Sequence, residues 1–246
     1  MLFVILCVAG LLVLALIIAW ILHVSSRRLV SRKTEKQKLG IRIVCISDTH
    51  GRHGSLPHPL PKGDILVHAG DFTYFGKQDD AVLFNTWLGE QKKCFQHIIV
   101  VEGNHESNAE WKGQVRTLLS NAIFLRGETL HVTVFTGAKN QDVTIHGTQF
   151  FWPMTTPNPN YNLIPVSCDV VISHGPCKGF VDGAGGGMGC STLLGHVRRV
   201  RPRLVIGGHI HEGHGMVVDK DGVCFVNAAN CRKGYTIGWD PVVVEI

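Results

Sequence analysis

The chain reads as an α/β protein in which two β-sheets pack as a sandwich flanked by helices, preceded by one apolar N-terminal transmembrane helix. Three observations predict this. After residue 40, short β-branched runs alternate with longer segments of helical apolar spacing. Polar, glycine-flanked motifs fall where those runs end, as at the strand ends of an α/β sheet. The C-terminal part returns to short strand-like runs, and no internal repeat is present.

Composition sets the outer bounds. A hydrophobic content of 45% and a charged content of 17% exclude a disordered chain. Without its apolar start the chain keeps roughly 210 residues, enough for one domain with a full core. The net charge of +5 is concentrated just after the apolar segment. No basic stripe carries interleaved aromatics, so a groove for a nucleic acid polymer is not expected. Fourteen histidines raise the expectation of a metal site. The eight cysteines, Cys7, Cys45, Cys94, Cys168, Cys177, Cys190, Cys224 and Cys231, form no CxxC pair. They predict a reducing compartment rather than a disulfide framework.

Residues 2–24 contain no charged side chain, and as a helix at about 1.5 Å per residue they would span a hydrocarbon core of about 30 Å. No basic n-region and no small-x-small cleavage site mark a signal peptide, so residues 1–24 are expected to be a membrane anchor. Arg27, Arg28, Arg32, Lys33, Lys36 and Lys38 follow in a polar juxtamembrane linker over residues 25–40. By the positive-inside rule they predict a single-pass protein whose domain, residues 41–246, stays on the cytoplasmic side.

Within that domain, residues 41–46, 65–68 and 97–101 read as core strands. Residues 79–93 read as an amphipathic helix whose apolar positions are Val82, Leu83, Trp87 and Leu88. A second helix is expected over residues 109–120. Residues 130–135 and 143–146 flank a polar turn and predict a hairpin. Core strands follow at 169–173 and 203–206 with a helix over 190–200 between them, and strands at 216–218, 223–226 and 242–245 complete the series.

Five motifs stand at strand ends: Asp48-Thr49-His50, Gly70-Asp71, Gly103-Asn104-His105-Glu106, Ser173-His174-Gly175 and Gly207-Gly208-His209-Ile210-His211. Ligands bind outside the carboxyl ends of such strands, so these motifs are expected to share one rim. Residues two apart in extended chain point the same way, so Asp48 with His50, and His209 with His211, are each expected to share a centre. Carboxylate oxygens and imidazole nitrogens suit manganese, iron, zinc or magnesium. Asp71, beside a glycine, is the expected bridge between two ions about 3.5–4 Å apart.

In this order the motifs resemble the calcineurin-like metallophosphoesterase superfamily over residues 41 to 231. The strings His68-Ala69-Gly70-Asp71-Phe72-Thr73 and Asn227-Ala228-Ala229-Asn230 are similar to its branch of metallophosphoesterase-domain proteins related to cyclic nucleotide phosphodiesterases. Where the protein serine/threonine phosphatases carry GDxVDRG, this chain has Phe72-Thr73-Tyr74-Phe75-Gly76 after Gly70-Asp71. The resemblance implies the calcineurin-like phosphoesterase fold and two divalent metal ions, manganese first. Asp48, His50, Asp71 and His211 would hold one ion, and Asp71, Asn104, His174 and His209 the other. Asn104 would also stabilise phosphoryl charge, and His105 would be the catalytic histidine outside the metal shell.

The expected activity is hydrolysis of small phosphodiesters, cyclic nucleotides among them, by a hydroxide shared between the two ions, with His105 protonating the leaving group. Two other readings stay open: a membrane-associated phosphatase or pyrophosphohydrolase on a lipid-linked or nucleotide substrate, and a weakly active metal-bearing scaffold. His68, His97, His131, His146 and His196 are expected to be structural, His53 and His58 to be solvated loop residues, and His214, after the fifth motif, to have no functional role. Glu106 and Glu212 are expected either to orient the ligands beside them or simply to be exposed. The segment 150–163 is short and residues 183–189 are glycine-rich; the latter are expected to form a flexible loop rather than a phosphate cradle.

Overall fold

Isoleucine, valine and leucine at successive strand positions bury both faces of a strand, and that pattern generates three layers of core here. The computed structural model describes residues 40–137, 139–151, 157–183 and 185–246. The expected membrane anchor and linker lie almost wholly outside the described residues. Among the described residues no helix is long and apolar enough to cross a membrane.

Strands β1 (Arg42–Ile46), β2 (Ile65–His68), β3 (His97–Val101) and β4 (Ile123–Leu125) run parallel. β13 (Val242–Glu245) closes the other edge antiparallel to β1, giving the order β13-β1-β2-β3-β4. The second sheet has the order β5-β6-β7-β8-β10-β9. It comprises β5 (Glu128–Phe135), β6 (Asn140–Gly147), β7 (Val170–Ile172), β8 (Leu204–Gly207), β9 (Gly215–Val218) and β10 (Cys224–Asn227). Its inner pairs are parallel, and both edge pairs are antiparallel hairpins. A small hairpin pairs β11 (Cys231–Arg232) with β12 (Thr236–Ile237).

Alternation assigns the faces. Ile43, Cys45, Val67, Ile99 and Val101 point into the space between the sheets, against Ile145, Val170, Ile172, Leu204, Ile206 and Val226. The intervening Val44, Ile46, Leu66 and Val100 pack under α1 (Gln78–Gln91) with Phe72, Phe84 and Leu88. After β3 the chain winds into a single turn, α2 (Asn104–Ser107). On the far side, Val171, Val205 and Phe225 meet Leu193 and Val197 of α4 (Ser191–Val200). The two-sheet sandwich flanked by helices is therefore as expected.

Two helix expectations need correction. In α1 the buried residues are Ala81, Phe84, Leu88 and Gln91, whereas Val82 and Leu83 are 48% and 60% exposed. The spacing 81-84-88-91 is a better helical stripe than 82-83-87-88, and the aromatic ring of Phe84 decides the face by packing on Phe72 and Trp87. The helix expected over residues 109–120 is broken into a 3-10 turn, Glu110–Gln114, and the single α-turn α3 (Val115–Leu118). Gly113 lowers helix propensity there, and the Trp111 indole N–H is held by the Gly76 carbonyl at 2.7 Å.

The architecture brings the carboxyl ends of β1, β2, β3, β7 and β8 to one rim. Bonds between the sheets stitch that rim: Ser47 bridges Ala229, the Ser47 N–H donates to Asn230 Oδ1, and the His174 ring nitrogen Nδ1 lies 2.8 Å from the Ala69 carbonyl.

Candidate metal centre

Three of the five motifs leave their strands through left-handed backbone. Asp48, His50, Asp71 and His209 have φ of 53°, 46°, 56° and 66°, in the left-handed region that aspartate and histidine tolerate better than most residues. Such backbone costs of order 1 kcal/mol per residue and persists where the surroundings over-determine it. Close approach is the reason. A Cβ on Gly103 would collide with Asp71 Oδ1, and one on Gly208 would collide with Asp48 Oδ2 and Ser47 Oγ.

These turns gather all the expected ligands. Nε2 of His50 and Nε2 of His211 are 3.2 Å apart, and His211 Nε2 is 3.3 Å from Asp48 Oδ1. A few ångströms away His174 Nε2 lies 3.1 Å from Asn104 Oδ1 and 3.3 Å from Asp71 Oδ2. His209 joins Asp71 and His174, with donor atoms within 4.8 Å of one another. Asp71 also groups with His50 and His105 on the same criterion, so its carboxylate faces both sets. Donor atoms around a cation at about 2.0–2.2 Å lie roughly 3–3.5 Å from one another, the spacing found here. The nitrogen and oxygen donors, with no thiolate among them, fit a dinuclear divalent site.

The two expected pairs, Asp48 with His50 and His209 with His211, do not behave as residues of extended chain. Asp48 and His50 do converge, but through left-handed turns rather than a straight strand. His209 and His211 do not share a centre: the turn at His209 sends it toward Asp71 and His174 while His211 faces Asp48 and His50.

Hydrogen bonds orient the donors. The His174 Nδ1–H donates to Ala69, and His211 Nδ1 lies 3.3 Å from the Arg232 carbonyl, so in each ring Nε2 is the nitrogen turned toward the centre. Asp48 accepts the His209 N–H at 2.9 Å, and Asp71 Oδ1 accepts the His105 N–H at 2.9 Å, leaving Oδ2 toward the centre. Beneath them is Glu106, buried, with the Asp71 and Gly103 N–H groups donating to Oε2 and the Thr73 N–H and hydroxyl to Oε1. It therefore orients ligands and is not the exposed neighbour that was the alternative. Burial, with Asp71's charge adding, pushes its carboxyl up to about 7.

The field of the site favours a cation. Burial alone would lower the His174 pKa, but the Asp71 and Asp48 carboxylates overcome it and push the ring up to about 10. Burial raises the carboxyl of Asp48, yet the surrounding histidines, His174 foremost, more than offset this and hold it below the usual carboxylate range. His50 and His209 are pushed down to about 4, chiefly by burial, and stay neutral lone-pair donors at pH 7.

His105 sits beside the donors, with Nε2 3.8 Å from Asp71 Oδ2. Its Nδ1 lies 2.8 Å from the Phe75 N–H and 3.0 Å from the Thr73 carbonyl, and the Phe75 ring stacks on it at 4.8 Å and 16°. Sequence reasoning did not single out Phe75 or Tyr235, whose ring stands edge-on to His50 at 4.5 Å. A left-handed φ at both, 52° and 59°, is the structural signal, and no sequence pattern announces it. The other histidines behave as expected at His68, held by Thr49 and the Gly70 N–H. His53 is a correction: it is buried against Phe84 and Trp87, not solvated. His214 stacks on Trp239 at 5.2 Å, a packing role as expected. In the glycine-rich loop, the Gly179, Gly187 and Gly189 N–H groups all donate to Asp182 Oδ2. Those amides are engaged and form no phosphate cradle.

A family model described as calcineurin-like phosphoesterase matches residues 41–213. The chain belongs to this family. Metallophosphoesterase domain-containing protein 1 of Homo sapiens is 35% identical over 243 aligned residues, covering 83% of this chain and 71% of that protein. A UPF0046 protein of Caenorhabditis elegans is 34% identical, covering 84% and 75%. These relatives place the calcineurin-like chain in the branch expected from its motifs. Among solved structures, TT1561 of Thermus thermophilus shares the fold, with a TM-score of 0.51 at 11% identity over 76% of this chain and 88% of that one.

Two outcomes follow for the centre. Glu106→Gln must set an amide NH₂ against backbone N–H donors, so metal affinity should fall about 10–100-fold while the fold is retained; isothermal titration reads it. Because a cation must displace the proton that the carboxylates hold on His174, binding releases a proton and weakens as pH falls. Affinity should rise from pH 6.5 to 8, and an unchanged affinity would contradict the shared field.

Proposed function

We propose that this phosphoesterase hydrolyses phosphodiesters. Asp48, His50, Asp71 and His211 hold one divalent ion, and Asp71, Asn104, His174 and His209 the other. Manganese suits the mixed oxygen and nitrogen donors. When bound, the ions supply Lewis acidity for the phosphoryl oxygens and the means to deprotonate water near neutral pH.

The observation that carries the diester reading is that the cavity lined by the metal donors His50, Asp71, Asn104, His209 and His211, with Lys233 and Tyr235 at its outer side, meets a second cavity at Asn104 and His209. One is about 320 Å³ and the other about 650 Å³. A monoester places one organic group on phosphorus and a diester places two, so a site open on both sides fits the diester. Asn104, with Oδ1 turned toward His174, has its amide NH₂ for a phosphoryl oxygen. His105 lines the smaller cavity, and the Thr73 carbonyl accepts the Nδ1–H of its imidazolium form. That imidazolium gives up its Nε2 proton and is left as a neutral ring whose Nδ1–H still donates to the Thr73 carbonyl.

With the full chain and manganese, bis-p-nitrophenyl phosphate should be turned over with at least about tenfold higher kcat/KM than p-nitrophenyl phosphate. A preference for the monoester would overturn the reading, and bound metal without turnover of either would favour a scaffold. His105→Ala should cost about 10²–10⁴-fold on an alkyl leaving group and much less on nitrophenolate. Equal losses on both would remove His105 as the proton donor.

A further inference from the structure

Phe75 stands where neither backbone preference nor burial places a phenylalanine. Its φ is 52°, in the left-handed region that bulky side chains rarely enter, and 63% of its surface is exposed. An exposed ring recovers little of the hydrophobic gain that would offset such a backbone. What it does make is one flat contact: its ring lies on His105 at 4.8 Å between centroids and 16° between planes. Tyr74 and Tyr235 meet the same ring edge-on, at 4.6 and 5.9 Å. Gly76 follows with φ 71°, and a Cβ there would lie 2.9 Å from the His105 carbonyl oxygen. Two consecutive left-handed residues thus press the loop against this one histidine.

We infer that Phe75 is a positioning residue for His105, fixing the plane of its imidazole so that Nε2 is aimed at the leaving oxygen. This rests on the proton-donor role read for His105 above. The Thr73 carbonyl, 3.0 Å from Nδ1, holds one atom of the ring. One hydrogen bond leaves the ring free to tilt, because the torsion that turns a histidine ring is broad. The ring of His50, 4.7 Å away at 54°, offers no parallel face. A phenyl ring laid flat against the imidazole removes that freedom. A general acid must come within about 2.6–3.2 Å of the oxygen it protonates, so a small swing of the ring is felt in the rate.

Phe75 is not among the residues that line the cavity of the metal donors, whereas His105 is. Its influence on the reaction therefore passes through His105. A weakly basic leaving group departs without a proton, and a strongly basic one needs it, so a misaimed proton is felt on the second and not on the first. Damage to the metal centre or to the fold would slow both alike.

Diphenyl phosphate and bis-p-nitrophenyl phosphate test it, since each carries two identical esters and they differ in leaving-group basicity. With the full chain and manganese, Phe75→Ala should lower kcat about tenfold on diphenyl phosphate with KM unchanged, and by less than about twofold on the nitrophenyl diester. Phe75→Leu, which keeps apolar bulk without a flat face, should behave as the alanine variant, and Phe75→Tyr should restore the rate. In a His105→Ala background, Phe75→Ala should cost nothing further on diphenyl phosphate. Equal losses on the two diesters, full activity of Phe75→Leu, or additive losses in the double variant would overturn the positioning role. So would a native chain that hydrolyses the nitrophenyl diester and leaves diphenyl phosphate intact, since no proton would then be delivered. If the native chain is inert on both, or His105→Ala loses equally on both, the reading of the reaction fails first and takes the role of Phe75 with it.

Discussion

The Asp71 carboxylate is the constraint on which the rest of the site depends. One oxygen is fixed by the His105 N–H, and the other faces donor groups on both sides of it. To stand there, Asp71 adopts a left-handed backbone between Gly70 and the turn at Gly103, where any Cβ would strike its side chain. Glu106 binds the N–H groups of Asp71 and Gly103 together from below, so the second and third motifs move as one body. Breaking that tie would separate donors that only this crowding holds at cation spacing.

The two sheets contribute unequally to the same end. Sheet one delivers Asp48, His50, Asp71, Asn104 and His105 from parallel strands in register, and sheet two delivers His174, His209 and His211. The bonds that cross between them, His174 to Ala69 and the His209 N–H to Asp48, are therefore both structural stitches and orienters of the donors. Buried Glu102, immediately before Gly103, is paired with Arg126, which holds the third motif at its base. Fold stability and site geometry are carried by the same contacts.

Much of this was legible because the chemistry is local. Core strands end in short polar motifs built of aspartate, asparagine and histidine, and those motifs contain every candidate donor from Asp48 to His211. What sequence could not supply is tertiary. The face of α1 is chosen by a ring on another element, Phe72, and the break at residues 110–114 by a bond from Trp111 to Gly76. The same holds for Phe75 and Tyr235, whose roles arise from left-handed backbone and from rings meeting across two loops. In the glycine-rich stretch, the Gly187 and Gly189 N–H groups donate to Asp182, a partner one residue outside the stretch that drew attention.

The account stands on two cations sharing one carboxylate, and the most direct measurement is the electron paramagnetic resonance spectrum of the full chain loaded with manganese, taken alongside its metal content. Two ions per chain with an exchange-coupled spectrum is the predicted result. One ion per chain, or two with the spectrum of isolated manganese, would contradict the bridging role of Asp71.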